Sequence, residues 1–319
     1  MKRIGILTSG GDAPGMNAAI RAAVRKTIKN GNKAYGICHG YRGLIDGDIR
    51  LMEVSDVGDI IHRGGTVLKT ARCEEFKTEA GIKKAAASIK NANLDSVIAI
   101  GGDGTLKGLL DLEKLGINVF LIPATIDNDL GYTDYSIGFD TAVNTVVNAI
   151  NNIRETGMSH DKTTIIEVMG RKCGDIALRA GLAGGADAVL VPEEKTDIEA
   201  VIEKVKCGKA RCKKNNIIIR AEGADISMKE LTNSLGKTLD EDIRTVILGY
   251  LQRGGSPSAF DRNIATLMGV LSADLADAGT KNSAIGFDGN KAFSISLDKA
   301  AATEKEIPLK FLKIVDELS

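Results

Sequence analysis

The sequence predicts an α/β protein with mostly parallel sheets, and two observations lead to that prediction. Short apolar runs such as residues 97–100 fit strands that are buried on both faces of a parallel sheet. Several of these runs stop at glycines and are followed by a segment with helical periodicity, as residues 2–9 are followed by 16–29. Strands that alternate with helices in this way form layered α/β domains.

The composition is that of an ordinary globular protein of about two domains, with 319 residues, 43% hydrophobic and 26% charged. Lys plus Arg and Asp plus Glu both number 42, so no global charge favours a nucleic-acid partner. No apolar run approaches the roughly 20 residues that span a bilayer, and the start of the chain has no signal-like stretch, so we expect a cytoplasmic protein without a membrane partner. The five scattered cysteines fit reduced thiols.

The turn after residues 97–100 is the first candidate site. Its glycines, Gly101, Gly102 and Gly104, let the backbone approach a ligand closely, and the amides at the start of the next helix attract phosphate. Asp103 would repel phosphates unless it shares a divalent cation with them, which predicts a magnesium carboxylate. The alternative is a tight turn in which Asp103 only caps the helix.

A similar glycine turn, residues 10–15, follows the first strand. Two such turns predict two phosphate loops side by side at the carboxyl edge of one sheet, where open α/β folds bind their ligands. Neither turn matches the lysine-containing P-loop or the GxGxxG pattern.

A third candidate is the acidic segment 123–129. In an extended segment Thr125, Asp127 and Asp129 would line one face, while Ile126 and Asn128 would point away. Two carboxylates so close favour one as a base and the other near a cation. The alternative is an Asx-rich turn that satisfies its own backbone.

Several cations have both a structural and a functional interpretation. Arg21 and Arg25 lie one turn apart on a helix and form either a solvated face or an anion site at a subunit contact. Arg72 is either a phosphate clamp or a surface arginine. A basic cluster at 209–214 either complements a helix dipole or supplies half of an anion site. The glycines after Arg253 would let that side chain sit beside a ligand.

The same patterns predict the remaining elements. Further strands are expected at 34–39, 118–122, 164–169, 217–221 and 244–251. Further helices are expected at 81–90, 141–156, 173–184, from 198 to the basic cluster, up to about 276, and from 308. A turn is expected at 40–43, a hairpin-like region near 288–290, and a helix start with Ser256 as N-cap and Pro257 as first residue.

Glycine loops, clustered acids and arginines together indicate phosphoryl transfer, which needs positioning and charge neutralisation more than covalent help. The segments 10–17, 101–105, 123–129, 169–171 and 252–257 resemble, in order, the motif series of the bacterial ATP-dependent 6-phosphofructokinase family. The resemblance runs through nearly the whole chain. It implies two Rossmann-like, three-layer α/β/α domains, a larger ATP-binding one (1–138 with 252–301) and a smaller one for sugar phosphate and effector (139–251 with 302–319).

The resemblance also implies a homotetramer that makes fructose 1,6-bisphosphate and ADP from fructose 6-phosphate and MgATP, with ADP or phosphoenolpyruvate as effectors. The implied ATP residues are Gly11, Tyr41, Arg72, Cys73, Gly102, Asp103, Gly104, Thr105 and Gly108, with Asp103 serving Mg²⁺. The implied sugar-phosphate residues are Thr125, Asp127, Asp129, Lys162, Met169, Gly170, Arg171, Glu222, Arg244, Tyr250 and Arg253. Asp127 would be the general base, and Arg171, Thr125, Gly11 and Arg72 would complete the catalytic set. The implied effector residues are Arg21, Arg25, Asp59, Arg154, Asp187, Arg211, Lys213 and Lys214.

The chain departs from the family pattern at several positions. Lys162 stands where arginine is usual and Tyr250 where histidine is usual, so we expect weaker or altered fructose 6-phosphate binding. Ala124, Thr105 and Asp187 replace glycine, serine and glutamate. Small residues at Gly104 and Ala124 favour ATP over pyrophosphate as the donor.

Other classes of protein share parts of this pattern. NAD kinases and lipid kinases share a loop like 101–105, but Asp127 and Arg253 speak against them. A regulatory subunit without catalysis, or a kinase for another sugar phosphate, are the remaining alternatives. Intact Asp103, Asp127 and Arg171 favour activity.

Overall fold

The computed structural model describes residues 1–160, 162–213 and 215–319. The strands are β1 (Arg3–Thr8), β2 (Lys33–Ile37), β3 (Ile49–Met52), β4 (Ser96–Gly101), β5 (Val119–Pro123), β6 (Thr163–Val168), β7 (Ala188–Leu190), β8 (Asn216–Ala221), β9 (Arg244–Ile247), β10 (Ser283–Asp288) and β11 (Lys291–Ile295). The helices are α1 (Met16–Lys29), α2 (Tyr41–Asp46), α3 (Glu79–Asn91), α4 (Asp103–Lys114), α5 (Phe139–His160), α6 (Asp175–Ala183), α7 (Ile198–Ala210), α8 (Met228–Leu239), α9 (Ala259–Ala278), α10 (Leu297–Ala302) and α11 (Lys310–Leu318). None of the helices in these residues is long and apolar enough to span a membrane.

The chain forms two compact units. The first unit comprises Met1–Ile126, Leu130–Thr141 and Arg253–Lys305. The second unit comprises Asp127–Asp129, Ala142–Gln252 and Glu306–Ser319.

The first unit is built on a seven-stranded sheet with the order β11-β10-β5-β4-β1-β2-β3. All neighbours are parallel except β2 with β3 and β10 with β11. Alternate residues of β4 point to opposite faces, so Val97 and Ala99 join a core with α3, α4 and α10, while α1 and α9 pack together beside the same sheet. Strands β1 and β4 are direct neighbours, with Thr8 opposite Ile100, so the turns that follow them lie side by side.

The second unit has a four-stranded, fully parallel sheet with the order β7-β8-β6-β9. Residues of β6, β7 and β8 form a core with α7 and α8, as Ile165 and Ile218 do with Val205 and Leu235. Helices α6 and α11 pack against each other and against the same sheet. The predicted fold class, α/β with mostly parallel sheets, is confirmed.

Three local predictions are wrong. A turn was expected at 40–43, but α2 begins at Tyr41. Gly40, with a φ of 59°, is the N-cap of this helix. The expected strand 244–251 ends at Ile247, and a 3₁₀ turn, Gly249–Arg253, takes its place. The N-cap of α9 is Ser258, whose hydroxyl accepts the Asp261 N–H at 3.1 Å. The Ser256 hydroxyl instead donates to the His62 carbonyl at 2.7 Å.

Candidate functional site

The two glycine turns of the first unit meet at the carboxyl ends of β1 and β4. A Cβ atom added to Gly101 would lie 2.2 Å from Thr105 Oγ1 and 2.5 Å from the Ser9 carbonyl oxygen. Glycine at 101 is therefore required by the packing of the turn itself. The Thr105 hydroxyl donates to the same Ser9 carbonyl at 3.3 Å, which links the two turns.

Gly104 differs from Gly101, because a Cβ there would meet nothing within 4 Å. Packing does not require glycine at 104, so the space beside it is open to a ligand. Asp103 is the first residue of α4, and its half-exposed carboxylate lies 2.6 Å from Lys107 Nζ. Among the described residues no group of three His, Cys, Asp or Glu side chains forms a metal cluster. The Asp103 carboxylate could hold Mg²⁺ together with the oxygens of a bound phosphate, since Mg²⁺ is commonly bound by one or two carboxylates and substrate phosphates.

Tyr41 supports α4 from its buried side. Its ring stacks on Phe76 with centroids 4.0 Å apart and planes 8° apart, and its hydroxyl donates to the Thr105 carbonyl at 2.6 Å. A Cβ on Gly108 would lie 2.6 Å from the Tyr41 ring, so glycine is needed there. Burial raises the pKa of Tyr41 well above its ordinary value, so the hydroxyl stays protonated and continues to donate.

Arg253 lies against the first glycine turn, since a Cβ on Gly11 would be 2.6 Å from Arg253 Nη1. The same Nη1 donates to the Asp12 carbonyl at 3.4 Å. In the same unit Thr125 lies next to Gly102, where an added Cβ would be 3.4 Å from the Thr125 Cβ.

Two further predicted nucleotide residues lie on the loop before α3. Arg72 is exposed and forms no ion pair within the part of the chain that the structure describes. Cys73 is half-buried against the core of the first unit.

The second unit holds the candidate base. Asp127 Oδ2 lies 3.3 Å from Arg171 Nε; the Asp127 side chain is 1% exposed and the Arg171 side chain 63%. The carboxylate is thus shielded from water, whereas the guanidinium is largely exposed to it. The outer part of Arg171 remains open to a ligand.

The expected alternation of Thr125, Asp127 and Asp129 is wrong. Residues 126 and 127 lie in a turn rather than a strand, and Asn128 adopts a left-handed φ of 51°. Asparagine tolerates this conformation better than most residues. Asn128 is also fully buried.

The chain after β6 carries other predicted sugar-phosphate residues. Gly170 has a φ of 135° and Arg171 a φ of 54°, and the Arg171 N–H donates to Glu222 Oε1 at 2.7 Å. The Met169 N–H donates to the side-chain oxygen of the buried Gln252 at 3.1 Å. Asp129 is half-buried in the same unit.

Three further predicted sugar-phosphate residues, Lys162, Arg244 and Tyr250, also belong to the second unit. Lys162 and Arg244 line a cavity of about 540 Å³ between α5, β6 and β9, and this cavity does not include Asp127 or Arg171. Both cations share Asp242, at 3.9 Å from Lys162 and 3.3 Å from Arg244. Tyr250 is 83% exposed.

The predicted effector residues fall into both units. Arg21, Arg25 and Asp59 belong to the first unit, with the two arginines half-buried on α1 and Asp59 exposed.

In the second unit, Arg154 donates to the carbonyl of Gly185 at 2.8 Å. Asp187 is paired with Lys213 and accepts the Ile217 N–H at 2.8 Å. Arg211 is exposed at the end of α7. Lys214 lies outside the described residues.

Sequence reasoning missed two supporting residues. The pairing of Asp103 with Lys107 could have been found from the four-residue spacing on a helix. The role of Gln252 in holding Met169 had no such signal, because it depends on the meeting of two distant segments.

Comparison with known proteins gives one consistent result. The phosphofructokinase family model matches residues 3–276. The ATP-dependent 6-phosphofructokinase of Alkaliphilus metalliredigens is 50% identical over all of both chains. That of Clostridioides difficile is 50% identical over 96% of this chain and 95% of its own.

Solved structures agree on the fold. A phosphofructokinase from Saccharomyces cerevisiae superposes with a TM-score of 0.89 at 32% identity, covering 94% of this chain but 45% of the yeast chain. This chain therefore spans a little under half of the yeast chain. A pyrophosphate-dependent phosphofructokinase from Marinobacter aquaeolei, at 21% identity, has a TM-score of 0.86 over 99% of this chain and 91% of its own. At that identity the likeness concerns the fold alone.

Proposed function

Because the chain belongs to the phosphofructokinase family, we propose that it transfers the γ-phosphoryl group of ATP to the 1-hydroxyl of fructose 6-phosphate, giving fructose 1,6-bisphosphate and ADP. The observation that supports this chemistry best is the Asp127–Arg171 pair, a shielded carboxylate 3.3 Å from a cation that is still 63% exposed. A base beside an arginine is what transfer to an alcohol requires.

The donor half of the reaction falls to the first unit. The amides at the start of α4 and the open space at Gly104 suit nucleotide phosphates. Asp103 would hold Mg²⁺, which neutralises phosphate charge when it is bound. Its present partner Lys107 is exposed and is easily displaced, since surface ion pairs of this kind contribute little. The exposed Arg72 would add a cation for the phosphate oxygens.

The acceptor half falls to the second unit. Asp127 would take the proton of the sugar 1-hydroxyl as the new O–P bond forms, and Arg171 would balance the charge on the phosphoryl oxygens. The Arg171 N–H donates to Glu222 Oε1 at 2.7 Å. This hydrogen bond fixes the backbone of Arg171 and would hold its guanidinium near Asp127.

The wider proposal is a cytoplasmic homotetramer that responds to ADP or phosphoenolpyruvate. The cluster of Arg154, Asp187 and Lys213 would form part of the effector site. Lys162 and Arg244 line a cavity without Asp127, which is compatible with their serving the sugar phosphate of a neighbouring subunit.

A coupled assay of ADP formation from ATP and fructose 6-phosphate tests the proposal. We expect activity with ATP, little with pyrophosphate, and a loss of about 10²- to 10⁴-fold in kcat for Asp127→Asn, which removes the base. Asp316→Asn is the control, because it removes an exposed carboxylate of the second unit that pairs only with Lys204 among the described residues. Full activity of Asp127→Asn, or no ADP formation by the unaltered protein, would refute the assignment. The second result would instead favour a regulatory subunit.

A further inference from the structure

A buried carboxylate lies behind the Asp127 turn. Asp175, the first residue of α6, is fully buried, and its Oδ2 accepts a hydrogen bond from Asn128 Nδ2 at 2.8 Å. Its Oδ1 accepts from Arg179 Nε at 2.9 Å, one helical turn later. Asn128 is itself fully buried and stands between Asp127 and Asp129 in the chain. The turn that carries the candidate base is thus tied to α6 from inside the second unit.

The backbone of this turn needs such a tie. Asn128 has a φ of 51° and Arg171, the partner of Asp127, a φ of 54°. Left-handed conformations of residues other than glycine persist only where their surroundings determine them. Glu222 holds the backbone of Arg171 at 2.7 Å, and Asp175 holds the side chain of Asn128. Asn128, the neighbour of Asp127, and Arg171 are therefore both left-handed residues that donate a hydrogen bond to a carboxylate.

Arg179 makes the burial of Asp175 possible. A buried carboxylate requires a charged or hydrogen-bonding partner, and the guanidinium supplies both. The side chain of Arg179 is 28% exposed, and its Cζ lies 5.8 Å from the centre of the Phe311 ring. Phe311 belongs to α11, so the C-terminal helix packs on the residue that supports Asp175.

We propose that Asp175 is a positioning residue for phosphoryl transfer, acting through Asn128 to hold the Asp127 carboxylate beside Arg171. This inference rests on the proposed function. Asp175 accepts hydrogen bonds from Asn128 and Arg179, and its effect passes through the turn. Displacement of a catalytic group by about 1 Å is enough to lower a rate by roughly 10²-fold.

The test is Asp175→Asn, with kcat and both KM values measured on folded protein. The amide keeps the shape of the side chain but offers one acceptor oxygen where the carboxylate offers two. We expect kcat to fall by roughly 10²-fold while KM for ATP changes by less than about twofold, because the nucleotide turns belong to the first unit. A purely structural role would lower the melting temperature and leave kcat per folded molecule unchanged.

Asn128→Gly removes the tie and keeps the Asp175–Arg179 ion pair, and glycine accepts the left-handed φ without strain. We expect this variant to lose kcat as well, and Asp175→Asn to add little loss on the Asn128→Gly background. The control is Glu241→Gln, another shielded carboxylate of the second unit, which pairs with Lys209 and accepts the Thr163 N–H at 3.2 Å. Its kcat should equal that of the unaltered protein.

Two results overturn the inference. One is a kcat for Asp175→Asn or Asn128→Gly within about threefold of the unaltered protein. The other is a double variant whose loss is the product of the two single losses, since the residues would then act independently. If Asp175→Asn does not fold, Asn128→Gly alone decides. An inactive Asp127→Asn beside an active Asp175→Asn leaves the proposed function intact and rejects only the positioning role.

Discussion

Asp261 gives a prediction about stability whose size can be worked from the structure. This fully buried carboxylate accepts hydrogen bonds from the Gly138 N–H at 2.9 Å, from the Thr141 N–H at 2.8 Å and from the Thr141 hydroxyl. Burial nevertheless raises the pKa of Asp261 from 3.8 to about 6, against the lowering effect of these hydrogen bonds. A raised pKa means that the folded protein prefers the protonated acid.

The sign and size of the effect follow from linkage. The stability that protonated Asp261 contributes to the fold is fully present below the unfolded pKa of 3.8. This contribution is lost as the pH rises through the folded pKa of about 6. The difference between a pKa of 3.8 in the unfolded chain and about 6 in the folded protein corresponds to roughly 3 kcal/mol of unfolding free energy. Asp261→Asn cannot ionise. Between pH 4 and 7.5 the stability of the variant should therefore improve relative to the unaltered protein by roughly 2 to 3 kcal/mol.

Urea unfolding followed by circular dichroism at several pH values measures this difference. The matched control is Asp274→Asn on the same helix, where the carboxylate is 44% exposed and lies 3.0 Å from Lys26 Nζ. The control should keep the pH dependence of the unaltered protein. Parallel loss of stability in Asp261→Asn and the unaltered protein across this pH range would show that Asp261 does not carry the effect.

Two further predictions concern the proposed site. Gly101→Ala should lower stability by about 1 to 3 kcal/mol, because its Cβ would lie 2.5 Å from the Ser9 carbonyl oxygen, whereas Gly104→Ala in the open first turn of α4 should raise it by about 0.4 to 1 kcal/mol. Melting curves that shift in the same direction for both would contradict this. Lys162→Arg combined with Tyr250→His should lower the KM for fructose 6-phosphate by about tenfold, because arginine offers a planar pair of donors. An unchanged KM in the coupled assay would contradict that expectation.

Most strands of the sheets and helices that pack against them could be predicted from sequence, because burial of one face requires apolar residues at regular spacing. Residues 97–100 predicted β4, and the pattern of α1 gave its bounds of Met16–Lys29. Short exposed elements leave weaker patterns, and β3 and α10 were missed. Helix α8 was missed although Ser227 and Glu230 form a capping box, a signal that the sequence does carry.

The residue types of the site were predictable, but their arrangement was less so. Alternation assumes an extended chain, and it failed at 126–128 because a turn and a left-handed Asn128 break the period there. Ser258, and not Ser256, is the N-cap of α9. The Ser256 hydroxyl donates to the His62 carbonyl, which is almost two hundred residues away in the chain. Partners so distant leave no local pattern. The assignment of each site residue to a ligand remains a prediction.

The two units obtain their candidate sites by different physical means. In the first unit, Gly101 and Gly108 are glycines because other groups occupy the space of a side chain, and Gly104 leaves space unfilled. Under the proposed function, the choice of phosphoryl donor would depend on this free space, which a single added side chain could fill. In the second unit, Asn128 and Arg171 hold their positions on left-handed backbone through hydrogen bonds that they donate to the carboxylates of Asp175 and Glu222. Under the proposed function, acceptor chemistry there would depend on supports that do not contact the ligand, so substitutions that alter it need not lie among the binding residues.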